Sequence, residues 1–364
     1  MDDFPRIATP SRRGFLLGSA ALGTSAYAAP ARAADLSADG SADLVLSAAR
    51  GVRTGPITGH RFSMVGLTWR GGPAVADVRI RTRRDDRWSD WRTLRALHDG
   101  PDAGVEGHPD LRATEPLWTG ACDAVDLRGA DGGMPALTLS LIDPGAAPSY
   151  RGGLYEDPDE KRRKSAPKPD IVRRTAWGAN EKWRHGGPWF NRTIQQVHIH
   201  HTVNSNDYTA DDVPALLRGI YRYHTKNLGW SDVGYNFLVD RFGTIWQGRA
   251  GGSQLAVRGA HTLGFNSTST GIAVIGNFEE VEPHRQVIKA LVHLAAWKLD
   301  MYDRKPGHRI GVYSHGSDKF RAGRKVRLPV IDGHRDTNDT ACPGKHLYKK
   351  LPMVRERTAK RVKR

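Results

Sequence analysis

From about Leu36 to Pro144, apolar and polar positions tend to alternate with a period of two. Ala76, Val78 and Ile80 alternate with Asp77, Arg79 and Arg81, and Leu137, Leu139 and Leu141 with Thr138, Ser140 and Ile142. Ala121–Leu127 alternates in the same way, and Phe62–Trp69, Trp88–Leu94 and Pro116–Trp118 add further strand-like runs. Clusters such as Asp99-Gly100-Pro101-Asp102 break the runs. Short strands at this spacing predict an antiparallel, all-β sandwich-like domain over residues 34–144. Its Trp69, Trp88, Trp91 and Trp118 offer either a sugar-stacking surface or ordinary core and edge packing. Nothing in this half reads as catalytic.

Residues 145–170 are rich in Pro, Gly and charge without an apolar period, and read as a linker. From Ile171 to the C-terminus the pattern changes to alternating strands and helices. Ile194–Val203 reads as a strand. Thr209, with Asp212 three residues on, opens a helix whose stripe is Val213, Leu216, Leu217, Ile220 and His224, and Gly229 closes it. Tyr235–Val239 and Thr244–Gln247 flank Arg241-Phe242-Gly243 as a hairpin, and Gly271–Gly276 is a short apolar strand. Pro283 opens a long helix striped by Ile288, Leu291, Val292, Ala295 and Leu299. Val330-Ile331 is a strand, Pro343 stands at a helix N1 position, and Leu347, Leu351 and Val354 mark a terminal helix. The sum is an α/β domain with a mixed central sheet covered by helices.

Composition sharpens the setting. The chain has 364 residues, 38% apolar and 26% charged, enough for about two domains. Ser11-Arg12-Arg13-Gly14-Phe15-Leu16-Leu17 is a twin-arginine signal, followed by a small-residue apolar run and an A-x-A cleavage site, Ala31-Arg32-Ala33. That run is shorter than the roughly 20 apolar residues a spanning helix needs, so residues 1–33 are expected to be a signal peptide and not an anchor. The expectation is a secreted, wall-associated monomer. The net charge is +16; four Arg and two Asp in residues 1–33 account for +2, leaving +14. So basic a chain is drawn to anionic wall polymers, or simply carries a solvated surface. It shows no nucleic-acid-binding pattern. The two cysteines, Cys122 and Cys342, fall in different halves and read as independent thiols.

Candidate chemistry lies in the second half, which holds all but His60, His98 and His108 of the 15 histidines. His334 and Cys342 stand eight positions apart in the polar, turn-rich loop Asp332–Gly344, a good place for two metal ligands. A third ligand would come from His198-Ile199-His200-His201. There His198 and His200 share one strand face and His201 the other, and alternation does not choose between His198, His200 or both. Two imidazoles and a thiolate make a three-ligand set with a free position for water.

Residues 171–352 resemble the peptidoglycan recognition protein / type-2 N-acetylmuramoyl-L-alanine amidase family. The resemblance rests on Arg174-Thr-Ala-Trp177-Gly-Ala, Ile199-His200-His201-Thr202, Gly229–Phe237, Gly259–Asn266, Thr270–Phe278 and Gly333-His334-Arg335-Asp336 through Thr340-Ala-Cys342-Pro-Gly. It implies an amidase domain over 171–364 with zinc held by His200, His334 and Cys342. It also implies that Tyr235 is the catalytic tyrosine, hydrogen-bonding an oxyanion, and that Thr340 assists. His261 and Asn266 become expected substrate contacts, with His224 lining the cleft, Arg335 and Asp336 fixing the loop and His201 structural. The implied activity is zinc-dependent hydrolysis of the amide between N-acetylmuramic acid and L-alanine in peptidoglycan; a non-catalytic peptidoglycan-binding protein is the alternative. In two places the chain departs from the pattern. Ala273 stands where one branch of the superfamily has a catalytic glutamate, and no cysteines serve the disulfide that many relatives carry near Tyr208 and Phe242.

Overall fold

A computed structural model describes residues 32–37, 39–46, 52–71, 78–129, 136–145 and 166–362. Residues 1–31 of the expected signal segment 1–33 and most of the expected linker, 146–165, lie outside the described residues, as do Ala76 and Asp77; Arg32 and Ala33 fall in the first strand.

Among the described residues, the alternating first half forms nine antiparallel strands: β1 (Arg32–Leu36), β2 (Ala42–Leu46), β3 (Ile57–Arg70), β4 (Arg79–Arg84), β5 (Arg87–Trp88), β6 (Arg92–Thr93), β7 (Leu111–Ala113), β8 (Leu117–Arg128) and β9 (Leu137–Ile142). Their order is β1-β2-β9-β3-β8-β4-β5, with β6 on β4 and β7 on β3. Strand β3 shifts register twice between Thr58 and Met64. Its first half pairs with β8 and its second half with β9 and β7. Such bulges let one long strand bend through the domain.

One set of alternating residues, including Leu44, Leu67, Ile80, Leu127 and Leu139, encloses the β-domain core, and Cys122 lies there as a buried free thiol. The four tryptophans do not share a surface. Trp69 belongs to that core and Trp118 to the domain junction, while Arg81 stacks on Trp88 and Trp91 at 4.7 and 4.8 Å.

The second half builds a six-stranded sheet from β10 (Ile171–Val172), β11 (Gln196–His201), β12 (Phe237–Val239), β13 (Ile245–Gln247), β14 (Ser269–Val274) and, after a separate hairpin β15 (Arg309–Tyr313) and β16 (Lys325–Pro329), β17 (Ile331–Gly333). The order is β10-β13-β12-β14-β11-β17, parallel throughout except for the hairpin β12–β13. The helices are α1 (Val213–Arg222), α2 (Arg285–Met301) and α3 (Lys345–Arg361).

Val197, Ile199, Ile272 and Val274 point to α2 and α3 and form the main core of this half. The opposite sheet face lies under α1 and the β domain. Here Met64, Ala113, Trp118 and Ile142 pack with Leu216, Leu217, Ile220, Tyr235 and Leu238 in one continuous cluster. Ile142, which falls in the polar phase of its strand, is apolar because that face of β9 meets the second half.

The junction is close-packed. A Cβ on Gly66 would lie 2.4 Å from the Tyr223 ring, and one on Gly219 2.9 Å from Met64 Sδ. The Tyr223 hydroxyl donates toward the carbonyls of Leu67 (2.9 Å) and Thr114 (3.1 Å), and Asn204 Oδ1 accepts the Trp118 N–H at 2.7 Å.

Three details differ from the sequence reading. Thr209 donates its N–H and hydroxyl to Asp212 Oδ2 at 2.8 Å each, but this contact closes a turn ahead of α1, which begins at Val213. Pro343 is not at N1. It follows a cis peptide bond, and α3 starts at Lys345 after Gly344, whose φ of +85° is non-helical and whose α-hydrogen side abuts the Phe278 backbone. The hairpin β15–β16 was not expected. Where relatives carry the disulfide, Tyr208 and Phe242 meet edge to face at 6.0 Å, and the Tyr208 hydroxyl accepts the Arg241 N–H and donates to Ile275 O.

Candidate metal centre

The parallel neighbours β11 and β17 bring two segments together that are distant in sequence: His198 pairs with Asp332 and Ile199 with Gly333. His334 therefore emerges just beyond the end of β17, beside His200 near the end of β11. The tight turn His334–Asp336 and the loop after it return Cys342 to the same place, where its Sγ lies 3.4 Å from the His201 N–H. The loop is fixed by its own side chains. Arg335 donates to the carbonyls of Ala341 and Cys342, and Asp336 accepts from the Gly333 N–H (2.9 Å) and the Tyr348 hydroxyl (2.7 Å).

His198 and His200 do share a face, and the structure separates their roles. His198 Nδ1 is tied to the buried carboxylate of Asp332, which also takes a hydrogen bond from Gln196. His200 turns its Nδ1 to the centre, 3.8 Å from Cys342 Sγ, while its Nε2 meets His261 Nδ1 at 3.1 Å. On the other face, His201 Nδ1 accepts the Phe278 N–H at 3.1 Å.

A fourth group stands in the centre that the sequence reading did not include. Asp99, from the β6–β7 segment of the β domain, lies with Oδ1 3.0 Å from His200 Nδ1 and 2.9 Å from His334 Nδ1, and its Oδ2 accepts the Tyr235 hydroxyl. Asp99, His200, His334 and Cys342 offer ligand atoms all within 4.8 Å of one another, and all four residues are buried. Asp-Gly-Pro-Asp reads as a turn in any chain; no local signal distinguishes this Asp99.

These residues fit a zinc ion. Imidazole nitrogen, thiolate and carboxylate are all donors that zinc takes, and four of them suit its tetrahedral preference. His334 Nδ1 approaches the carboxylate at 2.9 Å off the line of a hydrogen bond and has no other partner among the described residues, as ligand atoms gathered round a shared centre do. Burial, opposed by Asp99, lowers His200 to about 4, so its ring is neutral and its lone pair available at pH 7. Burial and the Asp99 charge raise the Cys342 thiol, and a cation at the centre would reverse that effect.

The remaining expected residues surround this group. Tyr235 is fully buried, its hydroxyl on Asp99. His261 lies over Gly271, where only a glycine leaves room for the ring. Asn266 accepts the N–H groups of His261 (2.8 Å) and Thr262 (3.1 Å) and donates to Gly100 O (3.0 Å) and Asp102 Oδ1 (3.1 Å). His224 is buried against Trp230, ring centroids 4.4 Å apart, and its Nδ1 accepts the Gly234 N–H. Thr340 Oγ1 accepts the Cys342 N–H at 3.2 Å, beside a cavity of about 290 Å³ that Glu115 and Cys342 also line. Burial and then Asp99 hold the Glu115 carboxyl well above its usual range.

Residues 190–345 match the N-acetylmuramoyl-L-alanine amidase family, and residues 25–162 match the Rv3811 N-terminal galactose-binding domain-like family. Peptidoglycan-recognition protein SC1a of Drosophila melanogaster is 29% identical over 185 residues, 50% of this chain and 83% of the relative. Peptidoglycan-recognition protein SC2 of Drosophila simulans is 30% identical over 153 residues, 42% of this chain and 70% of the relative. Among solved structures, peptidoglycan recognition protein-LE in complex with tracheal cytotoxin, a monomeric diaminopimelic acid-type peptidoglycan, is 28% identical with a TM-score of 0.39, covering 50% of this chain and 92% of that one. The fold and site define a mixed α/β domain with a buried, metal-competent centre, preceded by an antiparallel β domain. The chain belongs to the peptidoglycan recognition protein / N-acetylmuramoyl-L-alanine amidase family and carries a galactose-binding-like N-terminal domain. No helix among the described residues is long and apolar enough to cross a membrane.

Proposed function

We propose that the protein is a zinc-dependent N-acetylmuramoyl-L-alanine amidase, exported by the twin-arginine route, that cleaves the amide between the lactyl group of N-acetylmuramic acid and L-alanine. The observation that carries this reading is the convergence of His200, His334 and Cys342 on one buried point within an amidase-family domain. Non-hydrolysing binders need no thiolate there.

His200, His334 and Cys342 would hold the zinc. The metal, when bound, supplies Lewis acidity toward the scissile carbonyl and lowers the pKa of water to about 7. The remaining work falls to the chain's own residues. Tyr235 places a neutral O–H beside the ligands, where it can donate to the oxygen that gains charge as the carbonyl carbon becomes tetrahedral. Burial, together with Asp99, holds that phenol well above its usual pKa, so the proton stays on it as a donor. His261 takes the outer nitrogen of His200 and fixes its ring. Thr340 holds the Cys342 N–H and lines the cavity next to the thiol. The basic surface would hold the enzyme on anionic wall polymers, so high salt should release it from purified walls.

The test uses the whole chain, because α1 shares its core with the β domain. Zinc-loaded wild type and Asp99→Ala are incubated with peptidoglycan, with and without a chelator, and newly freed alanine amino termini are counted. Chelator-sensitive release supports the reading. Absence of release by both proteins refutes it, and release that survives Cys342→Ala refutes the ligand assignment.

A further inference from the structure

We propose that the β domain is a built-in inhibitor of this centre: the segment His98–Asp102 fills the substrate cleft, and Asp99 takes the coordination position that a catalytic metal keeps for water and substrate. The inference rests on the zinc reading above.

A catalytic zinc site has three protein ligands and an open position, whereas four protein ligands make a closed site. Three ligands here come from the amidase domain and the fourth from a separate domain, 101 residues before His200 in sequence. Asp99 also engages Tyr235, so the same carboxylate occupies both the metal's free side and the proposed oxyanion donor. His200, His261 and His334 are completely shielded from solvent. A muramyl peptide cannot reach them while the segment is in place.

The segment is held by Asn266, an expected substrate contact, and by its neighbours. Asn266 donates to Gly100 O and Asp102 Oδ1, and the Gly264 N–H donates to Asp102 Oδ1 at 2.8 Å. Further along, Glu106 accepts the Ser231 N–H (2.6 Å) and pairs with the buried Arg249 (2.7 Å), while Gly107 lies against the Trp230 ring. These contacts are specific, the two to Asp102 are buried and the others part-buried, which distinguishes a seated plug from a loop resting on a surface. Because the plug is tethered, its effective concentration at the cleft is high, and substrate in free solution competes poorly.

The test uses the full chain and three variants: wild type, Asp99→Ala, and Asp102→Ala/Glu106→Ala, which keeps the fourth ligand but loosens its support. With Co2+ in place of zinc, acetohydroxamate should leave the visible spectrum of the wild type unchanged and shift that of Asp99→Ala. In the metal-free proteins, iodoacetamide should alkylate Cys342 at least ~10-fold faster in both variants than in wild type, with Cys122 as the internal reference. Release of alanine termini from peptidoglycan should rise in both variants over wild type. Hydroxamate binding by wild type equal to that of Asp99→Ala, or equal Cys342 alkylation in all three proteins, overturns the proposal. If Asp99→Ala does not fold, the Asp102→Ala/Glu106→Ala chain decides by the same readouts. Opening by both chemical readouts without any amide hydrolysis upholds the plug and defeats the amidase reading instead.

Discussion

Gly66→Ala tests whether the two halves of this protein are one packing unit. The added methyl would sit 2.4 Å from Tyr223 Cε2, 2.6 Å from Cζ and 2.8 Å from the hydroxyl. The ring has little freedom to yield: it is fully buried, its hydroxyl is bonded to Leu67 O and Thr114 O, and its backbone lies in the turn continuing α1. Overpacking of a dense core costs about 1–3 kcal/mol. Displacing the ring would add about 1 kcal/mol for the strained or broken hydroxyl contact. The sum is about 3 kcal/mol, since the clash is with ring atoms and not a flexible end. At about 2.1 cal/mol/K per residue, a cooperative unit of this size loses about 5 °C in Tm. The assay is guanidinium and thermal unfolding of the whole chain, read by tryptophan fluorescence and far-UV circular dichroism. Tyr223→Leu would remove the obstructing ring, so Gly66→Ala/Tyr223→Leu should be less destabilised than the sum of the two single changes. A cost below about 1 kcal/mol, strict additivity, or two separate unfolding transitions would refute the shared core.

Three further outcomes are expected. In the Asp99→Ala chain, Tyr235→Phe should lower kcat for amide hydrolysis by about 10²–10³ without changing zinc content; a drop under tenfold would remove Tyr235 from the oxyanion role. Asp39 pairs with Arg222 across the domain junction at 2.7 Å; burial pushes its pKa up, but Arg222 outweighs this and holds it below 3.8. A carboxyl with a depressed folded pKa stabilises above its unfolded value and loses that contribution as pH falls through the folded one. Asp39→Asn should therefore be less stable than wild type at pH 7, with the gap shrinking below pH 3.8; an unchanged gap at pH 3 would count against it. Lys298 Nζ donates to the carbonyls of Ser253, Gln254 and Leu255 at 2.9–3.1 Å, so Lys298→Met should cost about 2–3 kcal/mol and speed hydrogen exchange around residue 254.

The sequence carried most of the amidase half because its motifs are local. The alternation of His198 and His200 exposed a polar sheet face, and the stripe from Val213 to Ile220 located α1 to within one turn. What sorted the two histidines physically was Asp332, which faces His198 only because β11 and β17 pair in that register. Periodicity in one strand does not contain its neighbour's register. The β15–β16 hairpin was different: Val326 and Leu328 alternate with Lys325 and Arg327, a strand signal that was present and unread. Asp99 had no such signal. Its surroundings are set by docking against another domain, and in sequence it looks like the first residue of a turn. The first half reads as non-catalytic on that appearance, yet through Asp99 it meets the candidate metal centre.

The interlocking of Gly66 with Tyr223 and of Met64 with Gly219 bears on modularity. A linker suggests modules that can be shuffled, yet a different β domain in this place would need a glycine opposite Tyr223. Replacing either half alone would then call for a matching change on the other side, so a bulkier residue at Gly66 or Gly219 is tolerated only with a smaller one at Tyr223 or Met64. In this chain the unit of packing is the pair, although its motifs read as two domains.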